Sequence, residues 1–180
     1  MTQAPASGAS ATERFDRWVD ARAERWRGRR GPDAAAALAS ALGDHGLVWF
    51  LVFVARSGRA GPGRRSALRA VAFTGAVVPL VNTGMKSLVA RPRPAGLDDY
   101  PGVRRPRTTS FPSGHSLAAW CAATLLAEDD PWALAWYGLA TGVSLSRVHV
   151  RHHHATDVVA GSVLGAIMGR LGRRLVPLGG

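Results

Sequence analysis

Several residue types are scarce in this chain of 180 residues. It has one cysteine, Cys121, which excludes a disulfide framework and a cysteine-based zinc site within one chain. Its two tyrosines and five phenylalanines do not alternate with basic residues, so no stacking platform for single-stranded nucleic acid is predicted. Residues 1–11 lack the apolar core of a signal peptide, and we expect them to be disordered.

Lysine is also nearly absent, because Lys86 is the single lysine among 23 lysine and arginine residues. With 12 acidic residues, the formal charge is +11 and the pI is about 11.6. A chain this basic is expected to meet an anionic partner, which can be nucleic acid, anionic lipid or a phosphorylated substrate. The isolated lysine is either a chance survivor or marks a position that needs a compact ammonium group.

Apolar runs occupy much of the chain after residue 33, although none reaches the roughly 20 residues of an ideal transmembrane helix. The runs are 34–42, 47–55, 70–85, 117–127, 132–145 and 158–168. Gly161, Gly165 and Gly169 form a ladder that suits close helix packing in lipid, and also in tight soluble bundles. We predict an all-α, membrane-embedded bundle of about five to six helices, in which 70–85 is the clearest membrane segment.

The N-terminal segment differs in character from the rest. Residues 12–30 alternate charged residues with apolar ones that fall near one helical face: Phe15, Trp18, Val19 and Trp26. This pattern predicts an amphipathic helix, which lies on a membrane surface or docks on a soluble core. We therefore divide the chain into a disordered tail with an amphipathic helix, residues 1–30, and a helical membrane domain, residues 31–176.

Three polar stretches lie between the apolar runs and carry residues suited to a phosphoryl group. They are Lys86-Ser-Leu-Val-Ala-Arg-Pro-Arg93-Pro94, then Phe111-Pro-Ser113-Gly114-His115, and then the segment from Ser146 to Asp157, which includes Arg147 and His153. Lys86, Arg93 and Arg147 can neutralise the equatorial oxygens of a phosphoryl group in its transition state. Each stretch also has an explanation by folding alone, namely a snorkelling cation, a helix cap or a solvated basic loop. These explanations account for the residues less well.

The second and third stretches also carry candidate groups for bond making and proton transfer. Ser113 and Gly114 open a predicted helix whose free N–H groups and dipole favour phosphate. His115 is then placed as an acid for the leaving oxygen. Asp157 lies four residues after His153, so on a helix the carboxylate can hold this imidazole in one tautomer. His153 is the candidate nucleophile.

Lys-x6-Arg-Pro, Pro-Ser-Gly-His and Ser-Arg-x5-His-x3-Asp, in this order, resemble the signature of the type-2 phosphatidic acid phosphatase family. That family also includes bacterial class A acid phosphatases and vanadium haloperoxidases. The resemblance covers about residues 47–172 and does not account for residues 1–30. It implies a phosphatase in which His153 forms a phosphohistidine, His115 transfers protons and Asp157 orients the nucleophile, with no metal and no other cofactor.

By the same resemblance, the expected reaction is hydrolysis of a lipid phosphate or diphosphate of the polyprenyl diphosphate, prenyl-linked phosphate or phosphatidate type. The expected partners are this substrate and the bilayer, not nucleic acid, and the oligomeric state is left open. Two alternatives remain. One is a basic protein that binds membrane or nucleic acid without catalysis, and the other is a soluble acid phosphatase or vanadate-dependent haloperoxidase.

Other polar residues are candidates for further contacts around the site. Arg104, Arg105 and Arg151 are candidates for contacts with a second phosphate or an anionic headgroup, and Arg91 for a surface or supporting charge. His149, His152 and His154 are expected to line the pocket or to meet headgroups, and the alternative is a metal site that includes His149, His153 and His154.

Charge also predicts an orientation in the membrane. The basic stretch 56–65 and the Arg-rich tail after Met168 favour the cytoplasmic side, which places 86–115 and 146–157 on the outer side. The basic segment 12–30 does not fit this rule if 34–55 crosses the membrane once. The segment 34–55, interrupted by Gly43-Asp-His-Gly46, is either one broken crossing or a re-entrant segment.

Overall fold

The computed structural model describes residues 8–43, 47–58, 62–95 and 108–178, in which helices are joined by turns and loops and no β-strand is present. The helices are α1 (Ala11–Glu24), α2 (Arg30–Gly43), α3 (Leu47–Ser57), α4 (Pro62–Ala72), α5 (Val78–Leu88), α6 (Gly114–Leu126), α7 (Ala133–His149) and α8 (Ala155–Leu175). A π-helical segment, Phe73–Val77, joins α4 and α5 into one continuous helix, Gly63–Leu88. The predicted all-α class and the N-terminal helix are confirmed.

The main helices run back and forth between two ends of the bundle, the site end near Lys86 and His153 and the far end near Arg56 and Glu128. Helix α3 runs to the far end, where Arg56 meets the turn after α6. The α4–α5 helix returns, α6 runs to the far end, α7 returns, and α8 runs back to it. Helices α1 and α2 both lie at the site end, because α1 contacts the start of α8 and Ser40 on α2 accepts a hydrogen bond from Arg147. Five helical passes therefore make the bundle.

The packing of α8 on α6 depends on small residues. A Cβ built on Gly161 would lie 2.5 Å from the Ser113 carbonyl oxygen, and one on Gly165 would lie 2.3 Å from that of Leu117. Real Cβ atoms do not approach backbone this closely, so glycine is required for the contact. The predicted glycine ladder thus faces α6, which is the central helix of the bundle and buries nine of its 13 residues.

Large apolar side chains cover the outside of the bundle. On α8, Val159, Val163, Ile167 and Leu171 form a stripe whose members are 45–53% exposed, on the face opposite the glycines. The continuous helix Gly63–Leu88 is long and apolar enough to cross a membrane. It contains the predicted segment 70–85. Exposed apolar side chains on the outside of a helical bundle are what a protein surrounded by lipid requires.

Helices α2 and α3 together are also long and apolar enough to cross a membrane, but they are bent by 60° at the break between them. Ser40, in the last turns of α2, still lies at the site end. Gly43 lies there too, against His115. The pair therefore combines α2, which lies beside the site, with α3, which runs the length of the bundle.

Buried ion pairs close the far end. Arg56 donates to Asp129 at 2.9 Å and also to Asp130, and Arg69 donates to Glu128. Arg173 on α8 lies 3.6 Å from Glu128. We call these arginines and carboxylates the far-end cluster. It ties α3, α4 and α8 to the turn between α6 and α7.

Helix α1 begins at a capping box, in which Ser10 accepts from the Glu13 amide and the Glu13 side chain accepts from the Ser10 amide. Phe15 and Trp18 stack with their ring centroids 6.2 Å apart, and both are about half exposed. Asp16 is the buried residue of this helix. The helix therefore docks through a carboxylate and leaves its aromatic side chains on the outside.

Candidate active site

The three polar stretches meet at one cavity of about 570 Å³ at the site end. The end of α5, the start of α6, the last turn of α7 and the loop before α8 converge there, which brings distant segments together. The predicted site residues in its wall are Lys86, Arg93, Gly114, His115, Arg147 and His153. Two further predicted residues, Ser113 and Asp157, are fully buried beside this wall.

His153 is held with one ring nitrogen toward the cavity. Its Nδ1 donates a hydrogen bond of 2.6 Å to the carbonyl oxygen of Ser110. Since a carbonyl cannot donate, this bond places the proton on Nδ1 and leaves Nε2 with a lone pair. Arg93 Nη1 lies 3.3 Å from Nε2. The predicted partner Asp157 is farther away, with Oδ2 3.9 Å from Nδ1.

The environment of His153 keeps its imidazole neutral. The side chain is nearly inaccessible, and it lies in the loop between α7 and α8. Burial lowers its pKa well below the usual value near 6.5, and the positive charges of Arg93 and Arg147 and the neighbouring His115 lower it further. A neutral imidazole at physiological pH has the lone pair that a nucleophile needs.

The cationic side chains are oriented mainly by backbone oxygens. Lys86 Nζ donates to the Thr109 carbonyl at 2.6 Å, and Arg93 donates to the carbonyls of His152 at 2.6 Å and Thr108 at 3.0 Å. Among the described residues, no carboxylate lies within ion-pair distance of Lys86 or Arg93. Their positive charge is thus fixed in direction but still available to an anion in the cavity.

Arg147 is the largest side chain that is fully buried. Its Nη1 donates to Ser40 Oγ at 2.6 Å, and its Nη2 contacts Nδ1 of His152. These contacts come from α2 and from the loop after α7, so the guanidinium is held from two sides. A guanidinium fixed in this way presents its planar donors to a ligand with little loss of conformational entropy.

The start of α6 contributes backbone to the cavity wall. Ser113 is the N-cap residue, and its Oγ accepts from the Ser116 amide at 3.4 Å. Its own amide donates to the Asp157 carbonyl at 3.0 Å, which joins α6 to α8. Gly114 packs on Asn82, and a Cβ there would lie 3.0 Å from Asn82 Nδ2. Ser113 therefore lies behind the wall, and its predicted contact with phosphate stays a prediction.

The other part of the cavity wall is apolar. It is formed by α3, by the π-helical segment and its neighbours, and by Ala118 of α6. Besides Ala118, the residues of this part are Trp49, Phe50, Phe53, Val71, Thr74, Gly75, Val78 and Pro79. A π-helical segment inside an α-helix is frequently found at functional sites. The cavity thus has a cationic end and an apolar end.

Asp157 belongs to a second layer of contacts behind His153. It is fully buried, and its Oδ1 accepts from Arg91 at 2.6 Å while Oδ2 accepts from the His154 amide at 2.8 Å. Arg91 also donates to Asp16 of α1 at 2.5 Å. Arg91 is therefore a supporting charge of this site, which was one of its two predicted roles.

The remaining predicted residues are Arg104, Arg105 and Arg151. Arg104 and Arg105 lie outside the described residues. Arg151, with a φ of 55°, donates to Glu24 at 2.7 Å and to the Ala95 carbonyl at 3.3 Å. It faces α1, not the cavity wall, so its predicted headgroup contact stays a prediction.

The three other histidines of the third stretch have separate partners. His149 Nε2 lies 2.7 Å from Asp33 Oδ1, His152 contacts Arg147, and His154 Nε2 donates to the Pro92 carbonyl at 3.2 Å. In the part of the chain that the structure describes, no group of three or more His, Cys, Asp or Glu residues is placed to hold a metal ion. The alternative metal site therefore has no support in this geometry.

Residues 67–178 match the family model of the PAP2 superfamily. Over 134 residues the chain is 33% identical to the decaprenylphosphoryl-5-phosphoribose phosphatase of Mycolicibacterium smegmatis, which covers 74% of this chain and 73% of that protein. The Mycobacterium tuberculosis protein of the same name is 32% identical over 148 residues, with 79% and 80% covered. A shorter match, 34% identical over 98 residues, is to the lipid A 1-phosphatase of Porphyromonas gingivalis and covers 52% of this chain but 20% of that protein.

Two solved structures share the fold. The transmembrane PAP2-type phosphatidylglycerolphosphate phosphatase of Bacillus subtilis superimposes with a TM-score of 0.75 at 23% identity, over 93% of this chain and 87% of that one. Aquifex aeolicus LpxE superimposes with a TM-score of 0.66 at 19% identity, over 94% and 98%. At these identities the likeness concerns the fold.

Proposed function

Because this chain belongs to the PAP2 superfamily, whose signature its three polar stretches carry, and is a membrane phosphatase, we propose that it hydrolyses a prenyl-linked phosphate through a phosphohistidine at His153. The observation that carries the proposal is the cavity of about 570 Å³ with a cationic and an apolar end. A phosphate at Lys86, Arg93 and Arg147 would leave an attached hydrocarbon against the apolar wall. A lipid phosphate has both parts in one molecule.

The relatives guide the choice among lipid phosphates. Two relatives that match this chain over most of their own length are named for a phosphoribose carried on decaprenyl phosphate. This favours a prenyl-linked phosphate over phosphatidate. A prenyl diphosphate has the same combination of an apolar chain and a terminal phosphoryl group, so it is the second substrate class in the proposal.

The geometry supports a two-step transfer. His153 Nε2 attacks phosphorus with its lone pair, the bond from phosphorus to the ester oxygen breaks, and His115 gives its proton to the leaving oxygen. Water then attacks the phosphohistidine, His115 takes a proton from this water, and the P–N bond breaks to release phosphate. Lys86, Arg93 and Arg147 neutralise the charge on the equatorial oxygens in both steps.

We propose that the site end faces the outside of the cell. Support comes from the far end, where Arg56 and Arg65 lie with the Arg-rich end of α8, as the positive-inside rule expects of cytoplasmic segments. The test is labelling by an impermeant maleimide in whole cells, with cysteines introduced in a Cys121→Ala background. Ser10→Cys should react and Leu178→Cys should not. The reverse pattern would overturn the orientation but not the reaction.

Phosphate release in detergent, with EDTA and no added metal, tests the reaction. The substrates are a prenyl-linked sugar phosphate, prenyl diphosphate, prenyl monophosphate, phosphatidate and a soluble aryl phosphate. We expect release to be fastest from a prenyl-linked substrate and to fall at least about 10³-fold in both His153→Ala and His115→Ala.

His154→Ala is the matched control, because it removes the adjacent imidazole, which donates to the Pro92 carbonyl. It should keep most of the activity. Release that is indifferent to the His153→Ala change would sink the phosphohistidine mechanism. Binding of these lipids without release from any of them would favour a binding protein without catalysis. Preference for phosphatidate would overturn the substrate class but leave the mechanism standing.

A further inference from the structure

Helix α1 lies outside the segment that matches the family model, yet hydrogen bonds through Arg91 connect it to Asp157, behind the candidate nucleophile. Asp16 is 7% exposed on a helix whose other residues are at least partly exposed. Burial of a carboxylate is costly unless the charge is paired and hydrogen-bonded. The partners of Asp16 therefore indicate why this helix docks where it does.

All the hydrogen-bond partners of Asp16 in the described residues lie at the site end of the bundle. Its Oδ1 accepts from the Thr156 amide at 2.8 Å, and its Oδ2 accepts from Thr156 Oγ1 at 2.9 Å and from Arg91 Nη2 at 2.5 Å. Thr156 is the second residue of α8, where amides have no acceptor within the helix. Asp16 thus caps α8 from another helix, and its negative charge lies at the positive end of the α8 dipole.

Arg91 continues the connection. It lies between two carboxylates and donates to Asp157 Oδ1 at 2.6 Å and to Thr156 Oγ1 at 2.7 Å. Burial alone would raise the pKa of Asp16, but its hydrogen bonds from Thr156 and Arg91 lower it below the usual value. Burial likewise opposes the charge of Arg91, but Asp16 and Asp157 raise its pKa. Asp16 and Arg91 are therefore both charged at neutral pH.

We propose that Asp16 is a positioning residue, which acts through Arg91 and Thr156 to hold Asp157 and the first turn of α8 against His153. Helix α1 would then be a working part of the active site and not a separate membrane anchor. The inference rests on the proposed function, because its effect is on a reaction at His153. Arg27, in the turn between α1 and α2, donates to the Val148 and His149 carbonyls in the last turn of α7, which agrees with this role.

The test uses the full chain and Asp16→Asn. The amide keeps one oxygen for the Thr156 amide, so the cap persists, but the pairing with Arg91 is lost. We expect kcat to fall on the order of 10-fold with little change in KM, because a displaced nucleophile slows the chemical step more than it weakens binding. Glu13→Gln is the matched control: it makes the same change one turn earlier, at an exposed residue of the capping box, and Gln also serves in such a box.

A double-mutant cycle separates positioning from simple docking. If Asp16 acts through Arg91, Asp16→Asn should change kcat by less than about twofold in an Arg91→Gln background. A merely structural role predicts the same fractional loss in both backgrounds, together with a matching loss of thermal stability. Thr156→Val, which removes the hydroxyl contacts with Asp16 and Arg91 but leaves the two charges paired, should cost less than Asp16→Asn.

Equal activity of Asp16→Asn and Glu13→Gln would overturn the inference, and so would full additivity with Arg91→Gln. Either result, obtained with an active wild-type enzyme that depends on His153, leaves the proposed function standing. Absence of phosphate release by the wild-type protein from the whole substrate panel is the distinct result that removes the proposed function itself.

Discussion

The far end and the site end of the bundle both bring buried cations together, but with different partners. At the far end, Arg56 and Arg69 pair with carboxylates on the turn between α6 and α7. At the site end, Lys86 and Arg93, which are half-buried, donate to carbonyl oxygens. A carbonyl fixes the direction of a donor without cancelling its charge, whereas a carboxylate cancels it.

This difference separates two uses of the same residue type. Pairing with a carboxylate offsets the desolvation of a buried arginine and ties helices together. Orientation by carbonyls leaves a net positive field in the cavity, which costs stability in the empty protein and is relieved when a phosphate enters. Loss of a cation should therefore lower activity at the site end and stability at the far end. Each of the following experiments tests this division.

The largest effect is expected for Arg93→Gln. Loss of one fixed donor to a phosphoryl group should lower kcat/KM by about 10²–10³-fold, because the donor acts where charge develops in the transition state. The melting temperature should stay close to that of the wild type, since no buried carboxylate loses its partner. Phosphate release and thermal unfolding in the same detergent are the measurements. A large fall in melting temperature would contradict the division.

The converse change at the far end is Arg56→Gln. Its side chain is 7% exposed, and its loss leaves Asp129 and Asp130 buried without their partner. We expect the free energy of unfolding to fall by about 3 kcal/mol, with kcat/KM per folded molecule unchanged. Denaturant titration in detergent, with activity measured on the folded fraction, checks both parts. A loss of kcat/KM without a loss of stability would refute this assignment.

The glycine ladder of α8 runs from the site end toward the far end, so the same change of glycine to alanine can be made near each end of the bundle. Gly161→Ala and Gly169→Ala would put a Cβ 2.5 Å from the Ser113 carbonyl oxygen and from Thr124 Cβ, respectively. Each should cost about 1–3 kcal/mol of stability through overpacking. Gly161→Ala should also reduce kcat/KM, because it displaces the N-terminus of α6, while Gly169→Ala should not. Gly142→Ala, which meets nothing within 4 Å, is the control and should not destabilise the protein.

The smallest effect concerns pH. The positive charge of Arg93 lowers the pKa of His153, and its removal allows the imidazole to take up a proton at higher pH. The acid limb of kcat/KM should therefore move upward by about one pH unit in Arg93→Gln, with Arg147 and His115 still facing the ring. Ionisation of the substrate is common to both enzymes and cancels in the comparison. Arg56→Gln should leave the limb in place.

Much of this arrangement follows from the sequence, but not all of it. The apolar runs and glycine spacing correctly predicted a helical bundle, and the three motifs predicted residues that meet at one cavity. The sequence did not identify Ser110, whose carbonyl is the direct partner of His153, because any residue type offers a carbonyl. The pattern therefore drew attention to Asp157, which is 3.9 Å from His153 Nδ1.

Asp16 and Asn82 were missed for a different reason. Asp16 is 140 residues away from Thr156 in the chain and lies among many charged residues of an amphipathic helix, so no local pattern distinguishes it. Asn82 lines the cavity beside Gly114, one helical turn before Lys86, and carries no charge that would mark it. Contacts between residues that are far apart in the chain depend on how the helices dock, and this docking cannot be read from the pattern of one sequence.

In the mechanism that we propose, the hydrogen bond from His153 to the Ser110 carbonyl also decides which isomer of phosphohistidine can form. With the proton held on Nδ1, the phosphoryl group can join only Nε2, and the Nδ1-linked isomer is excluded. The two isomers have different ³¹P chemical shifts and different lifetimes in acid. An enzyme quenched during turnover should therefore yield a single species, with phosphorus on the nitrogen farther from the backbone.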